Sequence, residues 1–140
     1  MIDVLEFPLR LRERLRTETI AAFPRECCGL IEGACEESAA RATALHPLPN
    51  IAAEPDRFEI DPAAPIALLR RLRGADRAII GCYHSHPNGR AEPSARDEEG
   101  ADEDGFLWVI AAVEGVGAEP RIAAFVSTAT GFSPVQVETR

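Results

Sequence analysis

The sequence predicts a single three-layer α/β domain that occupies residues 1–140. Three predicted helices are spread among about seven predicted strands, and 140 residues are enough to bury a substantial hydrophobic core. Apolar residues make up 46% of the chain, as is typical of a globular protein. Neither an internal repeat nor a linker-like stretch interrupts the pattern. These observations favour helices packed against a β-sheet within one unit.

The individual elements follow from short apolar segments bounded by turn residues. Such segments predict strands at 4–7, 26–32, 57–60, 78–86, 106–113, 121–126 and 135–137. Gly33 adds a turn, after which residues 36–46 are expected to return as a further strand. Helices are expected from Pro8, from Asp61 to Gly74, and from Ala95 into Glu98–Glu99. In the first of these, Leu11, Leu15 and Thr19 or Ala22 share one face. The second helix has the fullest signals, because an Asp-Pro start, an apolar stripe and a terminal glycine coincide there.

Two histidines stand at the end of a predicted buried strand. Residues two apart in a strand point to the same side, so His84 and His86 should face one way, with Ile80 and Cys82 behind them. The turn-forming residues 87–89 then take the chain out of the sheet. Open α/β sheets place their ligand sites at such strand ends, so this pair is a candidate for metal binding.

A carboxylate follows at a helix start. Ser94 is a good N-cap and Asp97 falls in the first turn, so this helix can return Asp97 to the end of the histidine strand. Two imidazoles, one carboxylate and a fourth position for water are typical of a catalytic zinc site. The same Ser-x-x-Asp pattern is also an ordinary capping box, and a strand histidine is often a hydrogen-bonded core residue. The spacing by itself leaves both interpretations open.

Two separated motifs carry a family resemblance that covers nearly the whole chain. The sequence His-Ser-His-Pro at 84–87, followed after Pro93 by Ser-Ala-Arg-Asp at 94–97, resembles the motif of the JAMM metalloproteases, also called the MPN-plus domain. Residues 24–33 resemble the segment of that family that carries an upstream glutamate, here Glu26. No position of either motif is missing. The resemblance also implies a mixed central β-sheet flanked by helices, as in cytidine-deaminase-like folds.

The site residues follow from this resemblance, position by position. It implies that His84, His86 and Asp97 bind one zinc ion per chain, that Glu26 is the general base, and that Ser94 helps to stabilise the oxyanion. A domain of this length should fold without the metal. The implied activity is that of a zinc-dependent peptidase or isopeptidase. A cytoplasmic location is expected separately, because the sequence shows neither an export signal nor a membrane span.

The implied substrate is a small ubiquitin-like protein. Short bacterial members of the family include a peptidase, used in cysteine biosynthesis, that releases cysteine from the C-terminal diglycine of a sulfur-carrier protein. The predicted partner is therefore such a carrier or its C-terminal adduct. The stretches between Arg41 and Phe58 and between Asp97 and Phe106 leave no room for long insertions. Because the ubiquitin-cleaving eukaryotic relatives grip ubiquitin with such insertions, polyubiquitin is expected to be a poor substrate.

Other functions fit the sequence less well. A non-catalytic MPN scaffold would be expected to lack some ligands, and this chain keeps them all. A nucleobase deaminase would need His-x-Glu and Pro-Cys-x-x-Cys patterns, which are absent from the sequence. The sequence leaves one alternative open, namely a peptidase of the same family that acts on a different peptide substrate.

Composition narrows the partners further. The net charge of −8 argues against nucleic acid, which requires a basic surface. The N-terminal residues lack the basic and apolar regions of a signal peptide, and no apolar run reaches the ~18 residues of a membrane span. The four cysteines lack paired zinc-ribbon spacing and are expected to be reduced. His46 is expected at the surface, and Trp108 in the core.

Overall fold

The structure is a computed structural model that describes residues 1–55, 57–63, 65, 77–101 and 103–139. Seven strands and two helices are present in these ranges. In chain order they are β1 (Val4–Glu6), α1 (Leu9–Ala22), β2 (Cys28–Glu36), β3 (Ala39–Leu48), β4 (Ala78–His86), α2 (Ala95–Gly100), β5 (Leu107–Ala112), β6 (Arg121–Thr128) and β7 (Gly131–Glu138).

The seven strands form a closed barrel in the order β1-β3-β2-β4-β5-β6-β7. Strand β1 pairs in parallel with both β3 and β7, and β4 pairs in parallel with β5. The remaining neighbours are antiparallel. The prediction of a three-layer α/β domain with a central sheet flanked by helices is therefore wrong, since in the described ranges the strands close into a barrel and outnumber the helices. Periodicity identifies strands but does not say which edges meet, and here the three-residue β1 joins the two edges.

Three further predictions of individual elements have different outcomes. Helix α1 buries Leu11, Leu15 and Thr19, the face that the sequence predicts. The strand predicted at 57–60 is wrong, because these residues have no strand partner in the part of the chain that is described. The helix predicted from Asp61 to Gly74 lies largely outside the described residues. Among the helices that are described, none is long and apolar enough to cross a membrane.

The hydrophobic residues form two clusters on opposite faces of the strands. The α1-side cluster includes Leu11 and Leu15 of α1 together with Ile31 and Tyr83 from the strands. The cleft-side cluster is built on Leu30, Cys82 and Trp108, with Phe58, Ile60 and Phe106 packed against it. Neighbouring residues of one strand thus enter different clusters, as the pleat of a strand requires. Strand β4 is buried on both faces, which the apolar run predicts.

A bulge changes the side-chain order at the start of β4. The register of β4 against β2 shifts between Ile31 and Glu32, where Ile31 pairs with Gly81 and Glu32 pairs with Ile79. The extra residue places Ile80 in the α1-side cluster and turns Ile79 toward the cleft-side cluster. The expectation that Ile80 lies behind the two histidines on their own face is therefore wrong.

Candidate metal centre

The two histidines at the end of β4 converge as predicted. Both are buried, with His84 at 0% and His86 at 4% relative exposure. Their Nε2 atoms lie 2.9 Å apart, and the ring planes meet at 67°. Since the side chains share one face of the strand, the pleat alone accounts for this convergence.

Helix α2 brings Asp97 to the same point. Ser94 is the N-cap: its Oγ accepts a hydrogen bond from the Asp97 backbone N–H at 3.1 Å, and Asp97 Oδ2 accepts one from the Ser94 N–H at 2.8 Å. This reciprocal capping box holds the carboxylate over the strand end. There Asp97 Oδ1 lies 3.1 Å from His84 Nε2, and Oδ2 lies 3.2 Å from His86 Nε2. The hydrogen bonds that cap helix α2 therefore also position Asp97 in the site.

Glu26 lies beside the histidines, although not on a strand. Strand β2 begins at Cys28, so the prediction that Glu26 is a strand residue is wrong by two positions. Glu26 is 6% exposed, and its carboxylate lies with His84 and His86 in a group whose ligand atoms are all within 4.8 Å of one another. The structure therefore brings together the four buried residues that the motifs single out.

Ser85 holds this loop against β4. Its side chain points to the face opposite the two histidines, where its Oγ accepts a hydrogen bond from the Cys27 N–H at 2.8 Å. The Ser85 N–H in turn donates to the Cys27 carbonyl at 3.0 Å. Because Cys27 directly follows Glu26, this double contact places the glutamate next to the imidazoles. Apart from the position of Ser85 between the two histidines, no sequence pattern predicts this contact.

The charges of the site depend on burial and on mutual hydrogen bonds. Burial lowers the pKa of His84. Burial also acts to lower the pKa of His86, but hydrogen bonds to the Asp97 carboxylate and the Arg90 carbonyl outweigh it and raise that pKa. Burial acts to raise the pKa of Asp97, yet hydrogen bonds from His84, His86 and the Ser94 N–H hold that pKa well below its usual range. Asp97 is therefore a carboxylate at neutral pH.

The donor set fits a zinc ion. His86 Nδ1 lies 2.8 Å from the Arg90 carbonyl, which can only accept, so this nitrogen carries a proton. When a cation displaces the proton that Nε2 shares with Asp97, the Nε2 lone pair becomes available as a ligand. The two Nε2 atoms and the carboxylate then form a buried group of ligands, an arrangement that a cation stabilises. Two imidazole nitrogens and one carboxylate oxygen suit Zn²⁺. Glu26 is a second carboxylate within reach of the same point.

The two carboxylates of the site, Glu26 and Asp97, line a cleft of about 920 Å³. Phe58 forms one wall and stacks on His84, with ring centroids 4.4 Å apart and an interplanar angle of 27°. Trp108 meets His84 edge to face at 5.9 Å and lies in the core, as predicted. Ser94 is exposed at the rim. The role of Phe58 was missed, because nothing in the spacing of residues 57–60 relates them to His84.

The remaining histidine and the cysteines lie outside this donor set. His46 is half-buried, and its Nε2 lies 2.8 Å from Glu32 Oε1, so it is less exposed than the surface position expected for it. All four cysteines are free, and burial raises the pKa of Cys28 to about 12. At neutral pH Cys28 is therefore a thiol.

The fold resembles those of solved protein structures. A protein from Desulfitobacterium hafniense superposes with a TM-score of 0.85 at 23% identity, over 98% of this chain and 92% of that one. A protein from Salinibacter ruber superposes with a TM-score of 0.71 at 26% identity, over 99% of this chain and 92% of that one. The first of these likenesses concerns the fold alone.

Sequence comparison gives the family. The chain is 38% identical over 93 residues to a desampylase of Haloferax volcanii, covering 66% of each protein. It is 36% identical over 97 residues to a probable TtuB-protein conjugate cleaving protease of Thermus thermophilus, covering 67% of this chain and 61% of the relative. It thus spans somewhat less than two thirds of the length of these relatives. Residues 8–127 match the family of prokaryotic homologs of the JAB domain, which confirms the resemblance inferred from the two motifs. The chain belongs to this family.

Proposed function

We propose that this protein is a zinc-dependent peptidase that hydrolyses the amide bond after the C-terminal diglycine of a small ubiquitin-like protein. The observation that carries the proposal is the buried convergence of His84, His86 and Asp97 with Glu26 beside them, where Glu26 and Asp97 line the cleft. The two relatives are named for cleaving conjugates or modifications, namely desampylation and TtuB-protein conjugate cleavage. These names support a ubiquitin-like substrate.

Each site residue has a role in this reaction. His84, His86 and Asp97 would hold the zinc ion, which supplies Lewis-acid chemistry by polarising a carbonyl group and lowering the pKa of water. Glu26 accepts a proton from the attacking water while the water oxygen bonds to the carbonyl carbon. When the C–N bond breaks, Glu26 returns that proton to the leaving amine, so it acts first as base and then as acid.

Ser94 is suited to stabilise the developing oxyanion. Its Oγ already accepts a hydrogen bond from the Asp97 N–H, so the hydroxyl proton is left to donate elsewhere. The residue is exposed at the cleft rim, where an incoming carbonyl oxygen can meet it. A donor aimed at the oxyanion lowers the barrier because the negative charge grows only as the reaction proceeds.

The cleft wall offers an edge for an extended tail. The carbonyl of Glu59 accepts a hydrogen bond from the Ile51 N–H at 2.9 Å. Phe58 and Ile60 flank Glu59, and within the described ranges their backbone groups form no hydrogen bond. In an extended segment these groups point to the opposite edge, where a diglycine tail can pair by β-augmentation. Glycine has no side chain, so such a tail can approach the cleft floor closely.

The test is mass spectrometry of a carrier-Gly-Gly-Cys adduct incubated with the zinc-loaded protein. Loss of the cysteine mass is expected, with slow or no cleavage of diubiquitin and of an adduct whose terminal glycine is replaced by alanine. If the cysteine mass is retained, the diglycine substrate is wrong. Equal cleavage of the alanine adduct would instead assign the protein to a different amide substrate.

A further inference from the structure

One side-chain amide joins Glu26 to the cleft wall. Asn50 lies just after β3 and is half-buried. Its Nδ2 donates hydrogen bonds to the Glu26 carbonyl at 2.9 Å and to the Arg57 carbonyl at 3.0 Å. Its Oδ1 accepts hydrogen bonds from the backbone N–H groups of Ala52 and Glu59, both at 3.0 Å. Both donors and both acceptor positions of the amide thus bind backbone groups, at Glu26, at Ala52 and in the segment 57–59.

Asn50 completes the fixation of the Glu26 backbone. The double contact between Cys27 and Ser85 holds the residue after Glu26, while Asn50 holds the carbonyl of Glu26 itself. On the preceding side, Arg25 Nη2 donates to the Ala52 carbonyl at 2.7 Å, which ties Arg25 to the same segment that Asn50 organises. A short loop outside any strand is therefore held on both sides of the glutamate.

The same amide fixes the wall above His84. Arg57 and Glu59 bind Asn50 through their backbones, and Phe58 lies between them with its ring stacked on His84. Any displacement of the amide would move Phe58 and Glu26 together. Only an amide can do this, since the two carbonyl groups need donors and the two N–H groups need an acceptor. A carboxylate at this position would leave both carbonyl oxygens without donors.

We propose that Asn50 is a positioning residue that holds the general base Glu26 and the tail-binding wall at 57–60 in one fixed relation. Its kinetic consequence rests on the proposed peptidase function, whereas its structural consequence does not. Catalysis by a positioned base is sensitive to small displacements, and a shift of about 1 Å can cost on the order of 10² in rate. Asn50 itself has no place in the proton transfers.

Two substitutions separate the two halves of the amide. Asn50→Asp keeps an oxygen that can accept from Ala52 and Glu59 but removes both donors. Asn50→Ala removes all four contacts. In hydrogen exchange of the folded protein, we expect the Ala52 and Glu59 amides to exchange at least about tenfold faster in Asn50→Ala, and close to the unmodified rate in Asn50→Asp. Unchanged exchange in Asn50→Ala would overturn the proposal.

Kinetics test the link to Glu26. We expect Asn50→Asp to lower the single-turnover rate by about 10², with the zinc content unchanged. In a Glu26→Gln background the same substitution should have little further effect, because the base it positions is gone. Additive losses would assign Asn50 a general structural role and overturn the proposal. Glu54→Gln is the matched control, since it removes only an exposed ion pair with Arg57 and should leave the rate unchanged.

A crystal structure of Asn50→Asp keeps the two proposals distinguishable. If the protein cleaves no adduct, the peptidase proposal fails, and the structure still shows whether Asn50 positions Glu26. Displacement of both Glu26 and Phe58 from the imidazoles is expected. If both keep their places without the two donors, the positioning role is wrong whatever the substrate.

Discussion

The two faces of β4 bury polar groups in opposite ways. On the α1 side, the buried Tyr83 hydroxyl donates to Glu18 Oε1 at 2.8 Å, and Ser85 Oγ accepts from the Cys27 N–H at 2.8 Å. On the cleft side, His84 and His86 meet each other and a carboxylate within 3.2 Å. The two donors named on the α1 side have their acceptors within the chain, whereas the cleft side brings three groups that can bind a cation to one point.

This difference separates stability from chemistry. A polar pair that is complete within the chain contributes to folding and has no need of a ligand. A buried set of acceptors is stabilised only when a cation or protons enter it. Substitutions on the α1 side should therefore change the free energy of unfolding, and substitutions on the cleft side should change metal binding and turnover. The following predictions test this division, from the largest expected effect to the smallest.

His84→Ala should abolish stoichiometric zinc binding and reduce turnover to background, because one of the proposed metal ligands is lost. Metal analysis and a cleavage assay measure these effects. His46→Ala is the matched control, since His46 pairs with Glu32 away from the donor set and should leave the zinc content unchanged. Retention of one zinc ion per chain by His84→Ala would contradict the ligand assignment.

Glu26→Gln should lower turnover by about 10² to 10⁴, since the amide keeps the shape of the side chain but cannot accept the proton. Zinc content should stay at one ion per chain, measured by metal analysis beside the rate. Loss of zinc would show that Glu26 is itself needed to hold the metal and would contradict its role as a base alone. Glu18→Gln makes the same change on the α1 side, where burial raises the pKa of Glu18, and it should leave turnover intact.

Ser94→Ala should lower turnover by about 10² to 10³ if the hydroxyl is one oxyanion donor. The lost N-cap should also cost about 1 kcal/mol of helix stability. Ser94→Thr keeps both the hydroxyl and the cap, so it should restore the rate and the melting temperature together. Turnover and thermal unfolding of both variants measure the two effects, and a wild-type rate in Ser94→Ala would rule out the oxyanion role.

Gly29→Ala should destabilise the fold by about 1–3 kcal/mol while sparing zinc binding, because a Cβ there would collide with the Tyr83 ring and the His46 carbonyl. Denaturant unfolding and metal analysis measure the two properties. Gly115→Ala is the control, since its added Cβ would meet no atom within 4 Å. Equal unfolding free energies for the two variants would contradict tight packing on the α1 side.

The sequence alone determined most of the candidate site. The alternation of a strand places His84 and His86 on one face, and the Ser94 cap places Asp97 in the first helical turn. Strand alternation and helix capping both act over a few residues, so the spacing in the sequence is enough to predict these positions. The apolar face of α1 follows from the same kind of local periodicity.

Contacts between distant residues decided the rest. Closure of the barrel depends on β1 meeting both β3 and β7, and the side on which Ile80 lies depends on a bulge opposite β2. Glu26 reaches the histidines through Cys27 and Ser85, 58 residues apart, and through Asn50, 24 residues away. No local spacing encodes such pairings, because they are selected by the combined packing and hydrogen bonding of the folded chain. Short motifs thus determine which residues form the site, while the tertiary structure determines how these residues are brought together.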